Sequence, residues 1–170
     1  MKRYILIIAV AVFILLAFFL SLNNDPLQLS CDDLAVLFAQ NKGSFENAAE
    51  LISAYPCDRT LWIDREDPCD DRLVTIQVEE LYFCFARNAL SLTAEDCKKL
   101  YDAVEPLFSN AGIEGIAYGT FQIQFCVASS YGVEFNIIYV YSEYGPDGSF
   151  SHTKEERLLA PNWYALISND

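Results

Sequence analysis

The sequence predicts an α+β protein in which an N-terminal transmembrane helix precedes one domain, with two helices packed on a curved antiparallel sheet. Three observations predict this fold. The chain begins with an unbroken apolar run, two later segments repeat apolar residues at helical spacing, and the last third alternates apolar and polar residues as strands do. Helices and strands that come in blocks along the chain are typical of the α+β class.

The N-terminal segment is expected to anchor the protein in a membrane. An apolar stretch over residues 4–22 follows Lys2 and Arg3, and at ~1.5 Å per residue it nearly spans a hydrocarbon core of about 30 Å. The two basic residues predict that the N-terminus stays in the cytoplasm and that the rest is exported. A signal peptide that is cleaved to release a secreted domain is the alternative, although its apolar region is usually shorter, about 7–15 residues.

These features divide the chain into an anchor or signal segment, residues 1–24, and one extracytoplasmic α+β domain, residues 25–170. The exported part holds all 24 acidic residues but only nine of the 11 basic ones, which gives it a net charge of −15. Such a surface disfavours nucleic acid and anionic lipid headgroups as partners, because both are polyanions. It suits a cationic partner, bound cations or simply a soluble acidic surface.

The first helix of the domain is predicted from a capping-box pair, Ser30 and Asp33. Apolar residues on one helical face continue through Gly43, so the predicted helix covers residues 32–54 and is weakened at that glycine. This face consists of Leu34, Leu37, Phe38, Phe45, Ala48, Ala49, Ile52 and Tyr55.

A second helix is predicted from the same signal, Thr93 followed by Asp96. Its end is expected at the Asn-Ala-Gly sequence of residues 110–112, and Pro106 should bend or shorten its last turn. Its apolar stripe consists of Cys97, Leu100, Tyr101, Val104, Leu107 and Phe108.

Between the helices, a short strand is predicted over residues 60–64, and the next apolar segment is ambiguous. Apolar residues alternate on one parity up to Val78 and on the other parity from Leu81 onwards. Two strands joined by a bulge or turn at residues 79–80 fit this pattern, and a helix through residues 79–92 is the alternative.

The C-terminal third is expected to contribute three antiparallel strands to the sheet. Alternation over residues 121–128 and 135–141 predicts the first two strands, with a turn at the Ser-Ser-Tyr-Gly sequence of residues 129–132. The last strand is predicted around Pro161, which should interrupt its hydrogen bonding at an edge or a bulge.

The six cysteines follow the apolar segment, which is consistent with disulfides in an exported domain. The sequence Pro-Cys-Asp occurs twice, and a disulfide between Cys57 and Cys69 would close the loop between the two copies. A thiol-based sensor is an alternative use of these residues, with Cys31 as the reactive thiol because it lies at a helix start, where a thiolate is stabilised. No Cys-x-x-Cys sequence occurs, so the usual two-thiol redox geometry is not predicted.

No cofactor or metal site is predicted. The cysteines are too far apart for a structural zinc site, and His152 is the only histidine. An acidic stretch could supply oxygen ligands to Ca²⁺, but it lacks the spacing of an EF-hand, and a solvated acidic loop is the favoured interpretation. Its acids are Asp64, Glu66, Asp67, Asp70 and Asp71.

Catalytic signals are weak in this sequence. His152 lies in a turn-rich segment, which favours a surface position, and no Gly-x-Ser-x-Gly sequence occurs. A pair of carboxylates could perform acid–base chemistry, but nothing in the pattern singles out two of them. No catalytic residue is therefore predicted.

Aromatic residues are concentrated in the C-terminal third and are the candidates for a binding surface, because tyrosine and tryptophan are enriched at interfaces. The candidate set is Tyr139, Tyr141, Tyr144 and Trp163, and the three tyrosines are expected to form an exposed face. Packing in a half-buried strand is the alternative use of the same residue types.

Four short pieces carry a resemblance to a known group of proteins. They are Phe38, Asn41 and Phe45 in the first helix, residues 121–125 and 137–142 in the strands, and the Asn-Trp-Tyr sequence of residues 162–164. In these pieces the chain resembles small, uncharacterised exported proteins of Firmicutes. The resemblance implies export and a small α+β domain, and it implies no activity.

Together these observations predict a membrane-anchored extracytoplasmic domain that binds a protein or an envelope component without catalysis. Two alternatives come from other functional classes. One is an extracytoplasmic hydrolase that uses carboxylates, and the other is a sensor based on thiols or disulfides.

Overall fold

The structure is a computed structural model that describes residues 29–55, 61–66, 72–86, 92–119, 121–141 and 153–169. Within these ranges the chain forms two α-helices and one antiparallel sheet of eight strands, which confirms the predicted α+β class. The helices are α1 (Cys31–Ser53) and α2 (Ala94–Pro106). The strands are β1 (Leu61–Asp64), β2 (Leu73–Val78), β3 (Leu81–Ala86), β4 (Gly115–Tyr118), β5 (Gln122–Ser130), β6 (Val133–Val140), β7 (Thr153–Ala160) and β8 (Trp163–Asn169).

Several predicted features lie outside the described residues. They are the anchor over residues 4–22, the Cys57–Cys69 pair, Tyr144 and His152. Among the described helices, none is both long and apolar enough to cross a bilayer.

Helix α1 begins with the predicted capping box. The Ser30 side chain accepts a hydrogen bond from the backbone of Asp33, whose carboxylate accepts one from the backbone of Ser30. Both ends of the helix lie within one residue of the predicted positions. Its irregularity lies at Asn41 (φ −116°, ψ 18°), and not at Gly43 as predicted. The Asn41 side chain donates to the carbonyl of Leu37 at 3.0 Å, so a local side-chain bond accompanies the kink.

Helix α2 also begins with its predicted capping box, between Thr93 and Asp96. Beyond Pro106, which has no backbone N–H to donate, the chain makes one π-helical turn over Leu107–Ala111. Gly112 then ends the turn in the left-handed conformation (φ 68°), as the predicted stop requires.

The ambiguous segment after β1 is a hairpin, so the two-strand interpretation is confirmed and the helix alternative is wrong. Val78 of β2 pairs with Leu81 of β3, and Glu79 and Glu80 form the turn between them. Glu79 adopts a positive φ of 51°, a conformation that two-residue hairpin turns demand.

The C-terminal third contributes five strands, and the prediction of three was too few. Strand β4 has only four residues, and β7 consists mostly of exposed polar residues, so neither shows the apolar alternation of a half-buried strand. Pro161 does not lie within the last strand as predicted. It forms the turn between β7 and β8 with Asn162, whose φ is 68°, and proline followed by a residue with positive φ is typical of a type II turn.

The sheet has the strand order β2-β3-β1-β4-β5-β6-β8-β7, so within the described chain β2 and β7 are its edges. Helix α1 contacts the β6, β8 and β7 end of the sheet, and α2 contacts β2 at the other end. Both helices share the main core with one face of the sheet, whereas Ile138, Val140 and Leu166 form a small separate cluster on the opposite face.

The centre of the main core is an aromatic cluster around Trp163, whose side chain is only 4% exposed. Its ring lies 5.0 Å from Phe38 of α1, 5.9 Å from Phe125 of β5 and 4.9 Å from Tyr139 of β6, measured between ring centroids. Phe45 of α1 meets Phe125 edge to face at 5.2 Å. These contacts join α1 to the central strands.

We expect Trp163→Ala to lower the free energy of unfolding by about 3–5 kcal/mol, because it removes the ring around which the core packs. Tyr131→Ala is the matched control: Tyr131 is 86% exposed in the β5–β6 turn, and its loss should change stability by less than about 0.5 kcal/mol. Urea unfolding of the two variants in the same detergent measures the difference. Equal losses in the two variants would contradict this account of the core.

Candidate functional site

The predicted binding residues that the structure describes lie in the core and do not form an exposed aromatic face. Trp163 is buried, and Tyr139 is half-buried against it. The Tyr141 hydroxyl donates to the carbonyl of Gly119, and its ring lies 5.8 Å from that of Tyr118. The alternation of apolar residues along β6 therefore reflects packing against α1. This agrees with the alternative prediction, in which the same residues pack in a half-buried strand.

The prediction that Cys31 is an accessible, activated thiol is wrong. Its side chain is fully buried at the start of α1, and its Sγ donates to the carbonyl of Ala165 at 3.7 Å. Burial, reinforced by the nearby carboxylate of Glu155, raises its pKa to about 11. Removal from water outweighs the stabilisation that a helix start gives to a thiolate.

The other described cysteines are also poorly suited to thiol chemistry. Burial raises the pKa of Cys97 to about 11, and burial together with Glu114 and Glu134 raises the pKa of Cys126 to about 12. Cys84 is buried in β3. The structure therefore gives no support to a sensor built on these thiols, and the Cys57–Cys69 disulfide stays a prediction.

An open acidic cleft of about 480 Å³ lies where β1 ends and β4 begins. Its charged and polar lining comes from the chain around Asp64, from the segment after α2 and from the end of β5. The lining residues are Asp64, Arg65, Glu66, Gly112, Ile113, Glu114 and Ser129.

The side chains of this cleft are partly engaged with the protein itself. The Glu114 carboxylate accepts hydrogen bonds from the backbone N–H and hydroxyl of Ser129, at 3.0 and 3.4 Å. Asp64 accepts from the backbone N–H of Glu66 at 3.0 Å. The Arg65 guanidinium donates to the carbonyl of Phe108 at 2.9 Å and lies 5.7 Å from the centre of the Phe108 ring, so it links the cleft to the π-helical turn after α2.

The Ca²⁺ alternative is not supported by the part of the acidic stretch that the structure describes. Asp64 and Glu66 lie in the cleft, whereas Asp67, Asp70 and Asp71 fall outside the described residues. Among the described side chains, no group of three His, Cys, Asp or Glu residues is arranged to hold a metal ion.

A polar row crosses the sheet on the face opposite the helices. Strand register places Asp64, Gly115, Cys126 and Asn136 side by side on β1, β4, β5 and β6. Asn136 is fully buried, and its Nδ2 donates to Glu134 at 3.2 Å while its Oδ1 accepts no hydrogen bond from a described residue. A single water would satisfy such an oxygen, so this row does not by itself indicate a ligand.

The two edges of the sheet differ in how they are protected. Edge strands expose unpaired backbone groups, and proteins commonly guard them with charges and bulges. Strand β7 has both devices: its register shifts twice, and its exposed residues include Lys154, Glu155, Glu156 and Arg157. Arg157 also forms a salt bridge with Asp32 at the start of α1.

Strand β2 has none of this protection. Its sequence, Leu-Val-Thr-Ile-Gln-Val, contains no charge and no proline, and its pairing with β3 is continuous over all six residues. Val74, Ile76 and Val78 pack against the main core but are only partly buried, and Thr75 and Gln77 are exposed. No described strand lies on the outer side of this apolar row, so β2 is an edge of the sheet within the described ranges.

This edge could not be predicted from the sequence. The uncharged, β-branched run indicates a strand, but no local feature indicates that the strand lies at the margin of the sheet. Strand order is set by long-range pairing: β1, earlier in the chain, lies between β3 and β4 and leaves β2 outside.

Comparisons of the chain with protein-family models, with curated proteins and with solved structures gave no match. The resemblance to small exported proteins of Firmicutes therefore stays a prediction.

We expect Cys31 and Cys97 to resist alkylation by iodoacetamide at pH 8 in the native protein. With a pKa of about 11, only about one thiol in a thousand is ionised at that pH, whereas about a quarter of exposed thiols would be. Peptide mass spectrometry with and without urea measures the labelling. Labelling of Cys31 at the same rate in both conditions would contradict its burial.

Proposed function

We propose that this protein is a membrane-anchored extracytoplasmic domain that works by binding another protein, and that β2 receives an extended strand of that protein. The observation that carries the proposal is the contrast between the two edges: β7 is charged and irregular, whereas β2 is uncharged, regular and half-buried. The apolar segment over residues 4–22, behind Lys2 and Arg3, supports the membrane anchor and the export of the domain.

Strand addition matches the chemistry of this edge. The outer backbone groups of β2 donate and accept hydrogen bonds at the regular spacing of a β-ladder, and a second polypeptide strand matches this spacing whereas a glycan or lipid does not. An added strand would also complete the burial of Val74, Ile76 and Val78, whose side chains lie on the face that holds the core. These two contributions favour a protein over another envelope component as the partner.

The acidic cleft supports a second candidate function, the carboxylate-dependent hydrolase. Asp64 and Glu66 both line this open space of about 480 Å³. The two functions use different parts of the molecule. Asp64→Asn would abolish hydrolysis at the cleft and would leave binding at β2 unchanged, so this variant distinguishes the two candidate functions.

We expect the double variant Thr75→Lys and Gln77→Lys to lose binding at β2. Both side chains are exposed, so the fold should persist, while the two charges give β2 the protection that β7 already has. The tagged full-length protein is cross-linked in native membranes, and proteins that co-purify are quantified by mass spectrometry. The partner should be recovered about tenfold less, which corresponds to a loss of about 1.4 kcal/mol in binding.

The matched control is Val36→Lys, which adds a lysine at a 56% exposed position on α1. It should leave recovery of the partner unchanged, and circular dichroism should show the same secondary structure for all three proteins. Equal recovery of every co-purified protein by the wild type and the double variant would rule out β2 as the binding edge.

A further inference from the structure

We infer that the strand received by β2 belongs to a basic segment of the partner, with a lysine or arginine beside the carboxylates of the Glu79–Glu80 turn. This inference rests on the proposed function of β2 as a strand-receiving edge, and it states the chemistry of the partner. Three features of the edge select this chemistry: its outward backbone groups, its apolar row and the carboxylates at one end.

The hairpin turn determines which backbone groups of β2 face outwards. Only two residues lie between Val78 and Leu81, and a two-residue turn closes on a hydrogen-bonded pair. The groups of successive residues point to opposite sides of a strand, so the N–H and C=O groups of Leu73, Thr75 and Gln77 point away from β3. An extended segment of about five residues is long enough to bond to all three residues.

The side chains of the added strand would extend the apolar row on the core face. Val74, Ile76 and Val78 pack against the main core and are only partly buried. Neighbouring strands place opposite residues on the same face, so alternate side chains of the partner would lie beside this row. We expect these side chains to be apolar where they adjoin the row, because such cross-strand contacts stabilise a pair.

Carboxylates are concentrated at the turn end of this row. The Tyr101 hydroxyl of α2 lies 3.2 Å from both oxygens of the Glu80 carboxylate, to which it donates. The pKa of Tyr101 is raised by partial removal from water and then by the negative charges of Glu80, Glu105 and Glu79, so three carboxylates lie near one hydroxyl. A carboxylate can accept about four hydrogen bonds, so Glu80 keeps its charge and further acceptor capacity.

Basic residues nearby offset little of this negative charge. Among the described residues, Lys98 lies closest to the group: its Nζ is 4.6 Å from the centre of the Tyr101 ring, but it pairs with Asp102 at 3.2 Å. In the same part of the chain, no salt bridge involves Glu79 or Glu105. The turn end of β2 therefore presents a net negative charge, which attracts a cationic group.

A lysine or arginine of the partner satisfies both the apolar row and the carboxylates. Its aliphatic stem can lie beside Val78 while its charged group reaches Glu79 and Glu105. Charges at the rim of an interface speed association and select among partners. The edge should therefore prefer a basic strand to an acidic one, and added salt should weaken that preference.

The test uses the tagged full-length chain in native membranes, with the same cross-linking and quantification as for the lysine variants of β2. The double variant Glu79→Gln with Glu105→Gln should reduce recovery of the partner about tenfold, because it removes two of the three carboxylates. Raising the salt concentration from about 0.05 to about 0.5 M should lower recovery by the wild type more than by this variant.

The matched control is Glu50→Gln with Glu156→Gln, which removes the same charge from exposed positions on α1 and β7. It should leave recovery unchanged, and circular dichroism should show the same secondary structure for all proteins. An equal loss in this control would mean a general effect of charge and would overturn the inference.

Photo-cross-linking identifies the bound segment itself. With benzoylphenylalanine in place of Gln77, the cross-linked segment should contain a lysine or arginine within about three residues of the cross-link. A segment without one would overturn the inference.

The same set of variants separates this inference from the proposed function. Equal recovery by the wild type and the glutamine variant of Glu79 and Glu105, with loss in the lysine variant of Thr75 and Gln77, would overturn the basic segment and leave strand addition standing. Recovery that the lysines do not change would overturn both proposals.

Discussion

The packing of Trp163 against α1 is the interaction on which the rest of the domain depends. Its ring contacts Phe38 of α1, Phe125 of β5 and Tyr139 of β6, so it couples three separate parts of the sequence. By fixing α1 over the β6, β8 and β7 end of the sheet, this cluster also determines which edge the helix supports. The β7 edge is tied to α1 through Arg157 and Asp32, and the β2 edge is left with a half-buried apolar row.

Local chemistry explains which parts of the fold could be predicted from the sequence. Both helices begin within one residue of the predicted positions, because the capping boxes of Ser30 with Asp33 and Thr93 with Asp96 involve only neighbouring groups. The β2–β3 hairpin was predicted from the change of parity, which a tight turn at Glu79 produces. Neither result requires knowledge of distant contacts.

The candidate site could not be predicted in the same way, because its features depend on burial and strand order. Alternating aromatic residues are compatible with a core or with a binding face, and only the position of α1 decides that Trp163 belongs to the core. Cys31 has the local environment of a reactive thiol, yet its burial beneath the chain around Ala165 reverses its chemistry. The exposure of β2 follows from the insertion of β1 between β3 and β4.

Residue-resolved amide hydrogen exchange of the full-length chain in detergent micelles tests the β2 edge most directly. Alternate amides from Leu73 to Val78 face away from β3 in an edge strand. The account predicts that these amides exchange fast, while the amides of β2 that bond to β3 are protected. Protection of all the β2 amides would mean that the edge is already covered and would contradict the account.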